Sequence, residues 1–121
     1  MDIIEEVNKI FSDLSEWKVG DYVAVAHKKS WFPGKIINLH DDGSADVSCM
    51  LYADHFQREN KFRWPKWSEG DQDTPTYKKE ELLLKLDEPQ PVGSNKRLQY
   101  FKITDDDFAD ASDILRLILR N

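Results

Sequence analysis

Between residues 22 and 51 the apolar side chains recur with the two-residue period of a β-strand, in runs separated by turn residues. The runs cover residues 22–26, 31–39 and 47–51, and the first of them follows a Gly-Asp pair. Residues 41–44 predict a hairpin turn, because Gly43 can adopt a positive φ at little cost. The pattern therefore predicts a small antiparallel β-structure in the centre of the chain.

Weaker signals extend this β-region toward the C-terminus. Residues 61–64 predict a short fourth strand that ends at a proline, and residues 66–76 are polar and typical of an exposed loop. Residues 80–86 indicate a short helical turn that leads into a final strand. Residues 89–94 hold two prolines and a glycine, which predicts an irregular linker, and residues 98–103 predict one more strand.

Both ends of the chain carry helical patterns. Residues 1–16 predict an amphipathic helix, with one stripe of apolar side chains at spacings of three and four. The stripe consists of Ile3, Ile4, Val7, Ile10, Phe11 and Leu14. Residues 104–121 predict a second helix, because Thr104 and Asp107 have the spacing of a capping box. The apolar surface of this second helix is wide, so it needs a partner, either the first helix or another chain.

The charge is distributed unevenly over a chain of net charge -6. Residues 1–16 carry five acids and one lysine, residues 17–103 carry fourteen bases and thirteen acids, and residues 104–121 carry five acids and two arginines. This nearly neutral body with acidic ends lacks the excess of cations that binding to phosphate backbones usually needs. The chain has no apolar run near the ~20 residues of a membrane span and no signal-peptide pattern, so we expect a soluble intracellular domain.

Nothing in the sequence indicates catalysis, a cofactor or a metal. The single cysteine, Cys49, excludes an internal disulfide and a cysteine-rich zinc site, and on an alternating strand it is typical of a small core residue. The histidines His27, His40 and His55 share no ligand spacing with it. No serine lies in a nucleophile-elbow motif, and no glycine-rich phosphate loop occurs. We therefore expect a protein that is not an enzyme.

The central segment resembles the Tudor and PWWP domains, which are small SH3-like barrels of chromatin-binding proteins. The resemblance lies in residues 19–25, in Trp31-Phe32-Pro33-Gly34-Lys35-Ile36, in Gly43 with Val47, and in Leu82-Leu83. It implies a mainly β fold, a five-stranded SH3-like barrel flanked by N-terminal and C-terminal helices. The expected organisation is a helix over 1–16, the barrel over 17–88, a linker with an extra strand over 89–103, and a helix over 104–121.

The resemblance also implies a function, the binding of a methylated lysine or arginine of a histone tail in an aromatic cage, and with it a nuclear location. A methylated ammonium group is attracted to aromatic ring faces by roughly 0.5–2 kcal/mol per contact. The residues expected to form this aromatic groove, with Asp54 as a partner for the cation, are Trp31, Phe32, Tyr52, Asp54, Phe62 and Trp64. Two alternatives stay open: Trp31 and Phe32 could pack in the barrel, and Trp64, Pro65 and Trp67 could close its end.

Two further hypotheses concern partners other than a peptide. The C-terminal helix could dock a protein partner or form a homodimer through Ile114, Leu115, Ile118 and Leu119. Weak nucleic-acid binding could use a basic set that consists of Lys61, Arg63, Lys66, Lys78 and Lys79.

Overall fold

A computed structural model describes residues 17–54, 57, 59–65, 74–94 and 98–120. The strands are β1 (Tyr22–His27), β2 (Ser30–Leu39), β3 (Ala45–Cys49), β4 (Leu51–Tyr52), β5 (Phe62–Arg63), β6 (Thr76–Tyr77), β7 (Leu82–Leu86), β8 (Gln90–Ser94) and β9 (Gln99–Lys102). A 3-10 turn covers Lys79–Glu81, and one helix, α1, covers Asp105–Leu119. The helix predicted over 1–16 lies outside the described residues, as do Lys66, Trp67 and His55.

The strands form two antiparallel sheets. The first has the order β6-β3-β2-β1-β7 and curls into a half-barrel, and the second has the order β4-β5-β9-β8. Shifts of register between Ile36 and Asn38 on β2, and between Ala24 and Val25 on β1, increase the bend of the first sheet. The chain passes from the first sheet to the second at Met50, whose amide donates to Pro33 O at 2.8 Å.

Both faces of the first sheet are buried in the middle of β1. Consecutive residues of a strand face opposite sides of the sheet, and Val23, Ala24 and Val25 are all fully buried. One face contributes to the barrel core, which consists of Val23, Val25, Ile36, Ala45, Val47, Tyr77 and Leu82. The other contributes to the helix-side core, which consists of Ala24, Trp31, Met50, Phe62, Leu83, Leu86, Ile103, Ala111 and Leu115. The second sheet and α1 therefore cover one face of the half-barrel.

The helix α1 begins with the predicted cap. The Asp107 amide donates to Thr104 Oγ1 at 3.1 Å, which satisfies one of the free donors of the first turn. The Asp107 carboxylate does not complete a capping box: it accepts the amide of Asp87 at 3.0 Å and so ties the helix to the end of β7. Farther along α1, Ser112 Oγ accepts the Trp31 indole N–H at 3.1 Å. These contacts fix the helix along the sheet from the Asp87 end toward the hairpin of β1 and β2.

The mainly β fold with a C-terminal helix is confirmed, and three of the finer predictions need correction. The segment predicted as an irregular linker forms β8. Proline is tolerated there because β8 is an edge strand, in which a missing backbone N–H need not break a hydrogen bond between strands. The fourth predicted strand, β5, belongs to the second sheet and not to the barrel sheet. The fifth place in the barrel sheet is taken by β6, which lies where the sequence predicts a loop at residue 76.

Candidate functional site

A groove with a volume of about 350 Å³ opens at the end of the barrel core where the β1–β2 hairpin turns. Its lining is more apolar than polar, and such clefts are the usual places where ligands bind. The groove is lined by His27, Phe32, Ser48, Cys49, Met50, Leu51, Pro65, Thr74, Pro75 and Tyr77.

The hairpin places two rings at one wall of the groove. His27 pairs with Ser30 as the last pair of the ladder, and Phe32 pairs with Val25. Because His27 and Val25 lie two residues apart on one strand, the Phe32 and His27 side chains leave the sheet on the same face. Their ring centroids are 6.4 Å apart in an edge-to-face arrangement. His27 is exposed and Phe32 half-buried, so both rings can contact a ligand.

Cys49 and Tyr77 line the groove beside these rings. The Cys49 Sγ and Tyr77 Oη atoms are 3.4 Å apart, and Tyr77 is only 7% exposed. Burial raises the pKa of the Cys49 thiol, an effect that the hydrogen bond with Tyr77 partly opposes. The thiol is therefore neutral at physiological pH and contributes as an apolar surface, not as a nucleophile.

The structure brings four of the six predicted groove residues into one aromatic cluster. The Tyr52 ring centroid lies 5.4 Å from Phe32, 4.8 Å from Phe62 and 6.0 Å from Trp31. Such spacings are typical of edge-to-face and tilted ring pairs that stabilise a core. The Tyr52 hydroxyl donates to Trp31 O at 2.6 Å, and burial raises the pKa of Tyr52, so the phenol stays protonated as a donor.

Most of this cluster faces away from the groove. Phe62 is fully buried and Trp31 is 4% exposed, and both belong to the helix-side core. Trp31 and Phe32 are neighbours on β2, so their side chains leave opposite faces of the sheet. Of these four residues Phe32 alone lines the groove, and the Tyr52 ring packs edge-to-face against the Phe32 ring.

The other two predicted residues also lie outside the groove lining. Trp64 is half-buried against the helix-side core. The Asp54 carboxylate accepts the amide of Glu59 at 3.2 Å in the turn after β4, and its charge helps to raise the pKa of Tyr52. Trp64 and Asp54 thus lie near members of the aromatic cluster, but neither of them lines the groove.

Sequence reasoning missed most of the groove wall. His27, Pro65, Pro75 and Tyr77 come from three separate parts of the chain, and none of them was a predicted groove residue. His27 could have been found from the hairpin register, since it is two residues beyond Val25 on the same face. The two prolines carry no periodic signal, and only the tertiary fold places them beside Phe32.

The short strand β6 holds the Pro75 and Tyr77 wall in place, and it is anchored on Asp46. The Thr76 hydroxyl donates to the Asp46 carboxylate, and His40 Nε2 lies 3.0 Å from the same group. The hydrogen bond from the Thr76 hydroxyl is the main reason why the pKa of Asp46 is lowered. The hydrogen bond and charge of Asp46 in turn raise the pKa of His40.

We expect stability to fall slightly as pH rises from about 5.5 to about 8. A histidine whose pKa is raised by folding stabilises the fold fully below its unfolded pKa, and this contribution is lost as pH rises through the folded pKa. Urea unfolding of wild type and His40→Gln across this range measures the effect. The free energy of unfolding of His40→Gln should therefore fall less over this pH range than that of wild type. An identical pH dependence in both proteins would contradict the role assigned to His40.

The described residues contain no group of three or more histidine, cysteine, aspartate or glutamate side chains that could hold a metal ion. Two members of the predicted basic set are placed by their contacts: Lys61 Nζ lies 4.5 Å from the centre of the Tyr100 ring, and the Lys79 side chain lies next to Gly43 in the β2–β3 turn. No helix in the described part is long and apolar enough to cross a membrane.

The four residues predicted to dock a partner on the C-terminal helix divide into two groups. Leu115 is 8% exposed and packs in the helix-side core, and Ile114 is half-buried against it. Ile118 and Leu119 are exposed. The prediction of a docking surface therefore rests on the last turn of α1 alone.

Comparisons with known proteins do not identify a family. No model of a protein family matches the chain, and no curated protein and no solved structure matches it significantly. The groove and the helix surface are therefore interpreted from their own geometry.

Proposed function

We propose that this protein is a non-catalytic binding module, an SH3-like domain of the Tudor/PWWP type, that takes one side chain of a peptide in the groove beside Phe32. The observation that carries the proposal is an open apolar groove at the mouth of the half-barrel, with the His27 and Phe32 rings on one wall. The support of the Phe32 ring by Tyr52 favours recognition, because a ring held in one orientation loses little entropy when a ligand binds.

A basic peptide with a methylated side chain, such as a histone tail, is the ligand class that this surface suits best. The described lining residues include no carboxylate, so an ordinary ammonium group would lose its hydration without gaining an ion pair there. A methylated ammonium is less strongly hydrated and is attracted to ring faces. The acidic ends of the chain would attract the basic flanks of such a peptide over a longer range.

We expect Phe32→Ala to weaken peptide binding at least about tenfold, which corresponds to about 1.4 kcal/mol. The substitution removes the best ring face in the groove while leaving the backbone of β2 in place. Fluorescence titration of the purified protein with methylated and unmethylated histone peptides gives the dissociation constants, since the chain has four tryptophans.

Ile37→Ala serves as the matched control, because Ile37 is a 41% exposed apolar residue of the same strand, away from the groove lining. It should bind as wild type does. Equal affinity in the Phe32→Ala variant and in wild type would remove the groove assignment. Absence of binding to every peptide by a folded wild-type protein would overturn the proposed function.

A further inference from the structure

The last turn of α1 leaves an apolar patch exposed. Leu117, Ile118 and Leu119 are 60%, 45% and 52% exposed, and we call these three residues the α1 tip. Three consecutive large apolar residues point in different directions around a helix, so the edge of the sheet cannot cover them all. Exposed apolar patches of this kind usually mark an interaction surface.

Cations surround the α1 tip in a chain that is acidic overall. Arg116 and Arg120 flank it on the helix, and both are exposed. Leu115, one turn earlier, lies in a small notch together with Lys29, so the hairpin turn with Lys28 and Lys29 is adjacent. Asp113 is within 3.3 Å of Arg116 and offsets part of this charge. A partner that suits the tip would combine apolar side chains with acidic ones.

Residues 1–16 have that combination. They carry five acids and one lysine, and their predicted helix has the stripe of six apolar side chains described above. A helix of about four turns is marginal by itself, so its stripe gains most by packing against another apolar surface. Their charge is opposite to that of the cations around the α1 tip.

The position of Trp17 decides which copy of the chain supplies this segment. Trp17 packs against the barrel core, and nearby Gly20 donates its amide to Ile36 O at 2.8 Å, at the Tyr22 end of β1. The α1 tip lies beyond the opposite end of β1, because Leu115 is already level with the hairpin turn. Five residue steps of a strand span roughly 17 Å, and the tip is on the other face of the sheet.

If residues 1–16 form the predicted helix, Val7 and Ile10 of the same copy are only about 10–15 Å of helix axis from Trp17, at 1.5 Å per residue, which is too short to bring the middle of the stripe to the tip. A segment from a second copy has no such limit. We propose that the α1 tip binds residues 1–16 of a second copy, so that the protein dimerises by reciprocal exchange of N-terminal segments.

The test uses sedimentation velocity on the full chain. Wild type should show a concentration-dependent dimer. Two double variants test the two surfaces: Leu117→Ser with Leu119→Ser on the α1 tip, and Val7→Ser with Ile10→Ser in the N-terminal segment. Each should raise the dissociation constant of the dimer at least about tenfold. Val92→Ser is the matched control, since Val92 is an exposed apolar residue on β8, and it should leave the constant unchanged.

A charge exchange tests the pairing of the two surfaces. The test compares two double variants, Arg116→Glu with Arg120→Glu and Glu5→Lys with Glu6→Lys. Each of them alone should weaken the dimer. An equal mixture of the two should restore it, because both contacts of the mixed dimer again join opposite charges. A strictly monomeric wild type would overturn the proposal. So would a dimer that the Val7 and Ile10 substitutions leave intact, or a mixture that does not recover.

Discussion

Gly34→Ala is expected to lower the free energy of unfolding by about 2–4 kcal/mol, a large share of the stability of a small domain. Gly34 lies in the middle of β2, opposite Val23 on one side and Cys49 on the other. A Cβ atom added there would lie 2.5 Å from Val47 Cγ1 and 2.8 Å from Ser48 O. Val47 is fully buried, so its methyl group has little room to move, and Ser48 O belongs to the backbone of β3, so it can move only if the two strands part.

Urea unfolding of Gly34→Ala beside Gly20→Ala separates the steric effect from the loss of glycine itself. A Cβ atom at Gly20 meets nothing within 4 Å, but its φ of +96° makes alanine unfavourable, at a cost of about 1 kcal/mol. Gly34→Ala should cost clearly more, and peptide binding should also suffer because Ser48 and Cys49 line the groove. If Gly34→Ala were no less stable than Gly20→Ala, the close packing of β3 on β2 would be contradicted.

The backbone around Gly34 was largely predictable, because its pattern is local. The alternation of residues 22–26 and 31–39 gives β1 and β2, and Gly43 gives the turn before β3. The same holds for α1, whose cap at Thr104 is a property of four neighbouring residues. Two strands were missed for physical reasons: β6 has two residues, too few for any period, and β8 contains a proline that only its edge position tolerates.

The candidate site was less predictable, because alternation alone does not say which face of a strand meets a ligand. In many small antiparallel sheets one face is buried, but here core residues lie on both faces of β1 and of the first half of β2. Trp31 and Phe32 therefore look equivalent in sequence, although one packs under α1 and the other lines the groove. The rest of the wall, which includes Pro65, Pro75 and Tyr77, comes to lie beside Phe32 only through the pairing of distant strands.

Trp31→Ala is expected to lower the free energy of unfolding by about 3–5 kcal/mol, the usual cost of removing a large buried aromatic side chain. Trp31 is 4% exposed and sits between the sheet and α1, with its ring centroid 5.4 Å from Phe108 and 6.0 Å from Phe62. The substitution also removes the indole donor to Ser112 Oγ, which is part of the attachment of the helix. We therefore expect α1 to lose its attachment along with the helix-side core.

Phe32→Ala is the informative comparison, because the two rings are neighbours in sequence and differ in what they cover. Phe32 is half-buried, so its removal should cost about 1–2 kcal/mol of stability, while peptide affinity should fall at least about tenfold. Urea unfolding, followed by far-ultraviolet circular dichroism, measures both variants without relying on the tryptophan that one of them lacks. The reverse order, with Phe32→Ala the less stable protein, would mean that the ring at position 32 contributes more to the fold than the buried ring of Trp31. The expected order follows from burial: the ring that the core encloses determines stability, and its half-buried neighbour is free to contact a ligand.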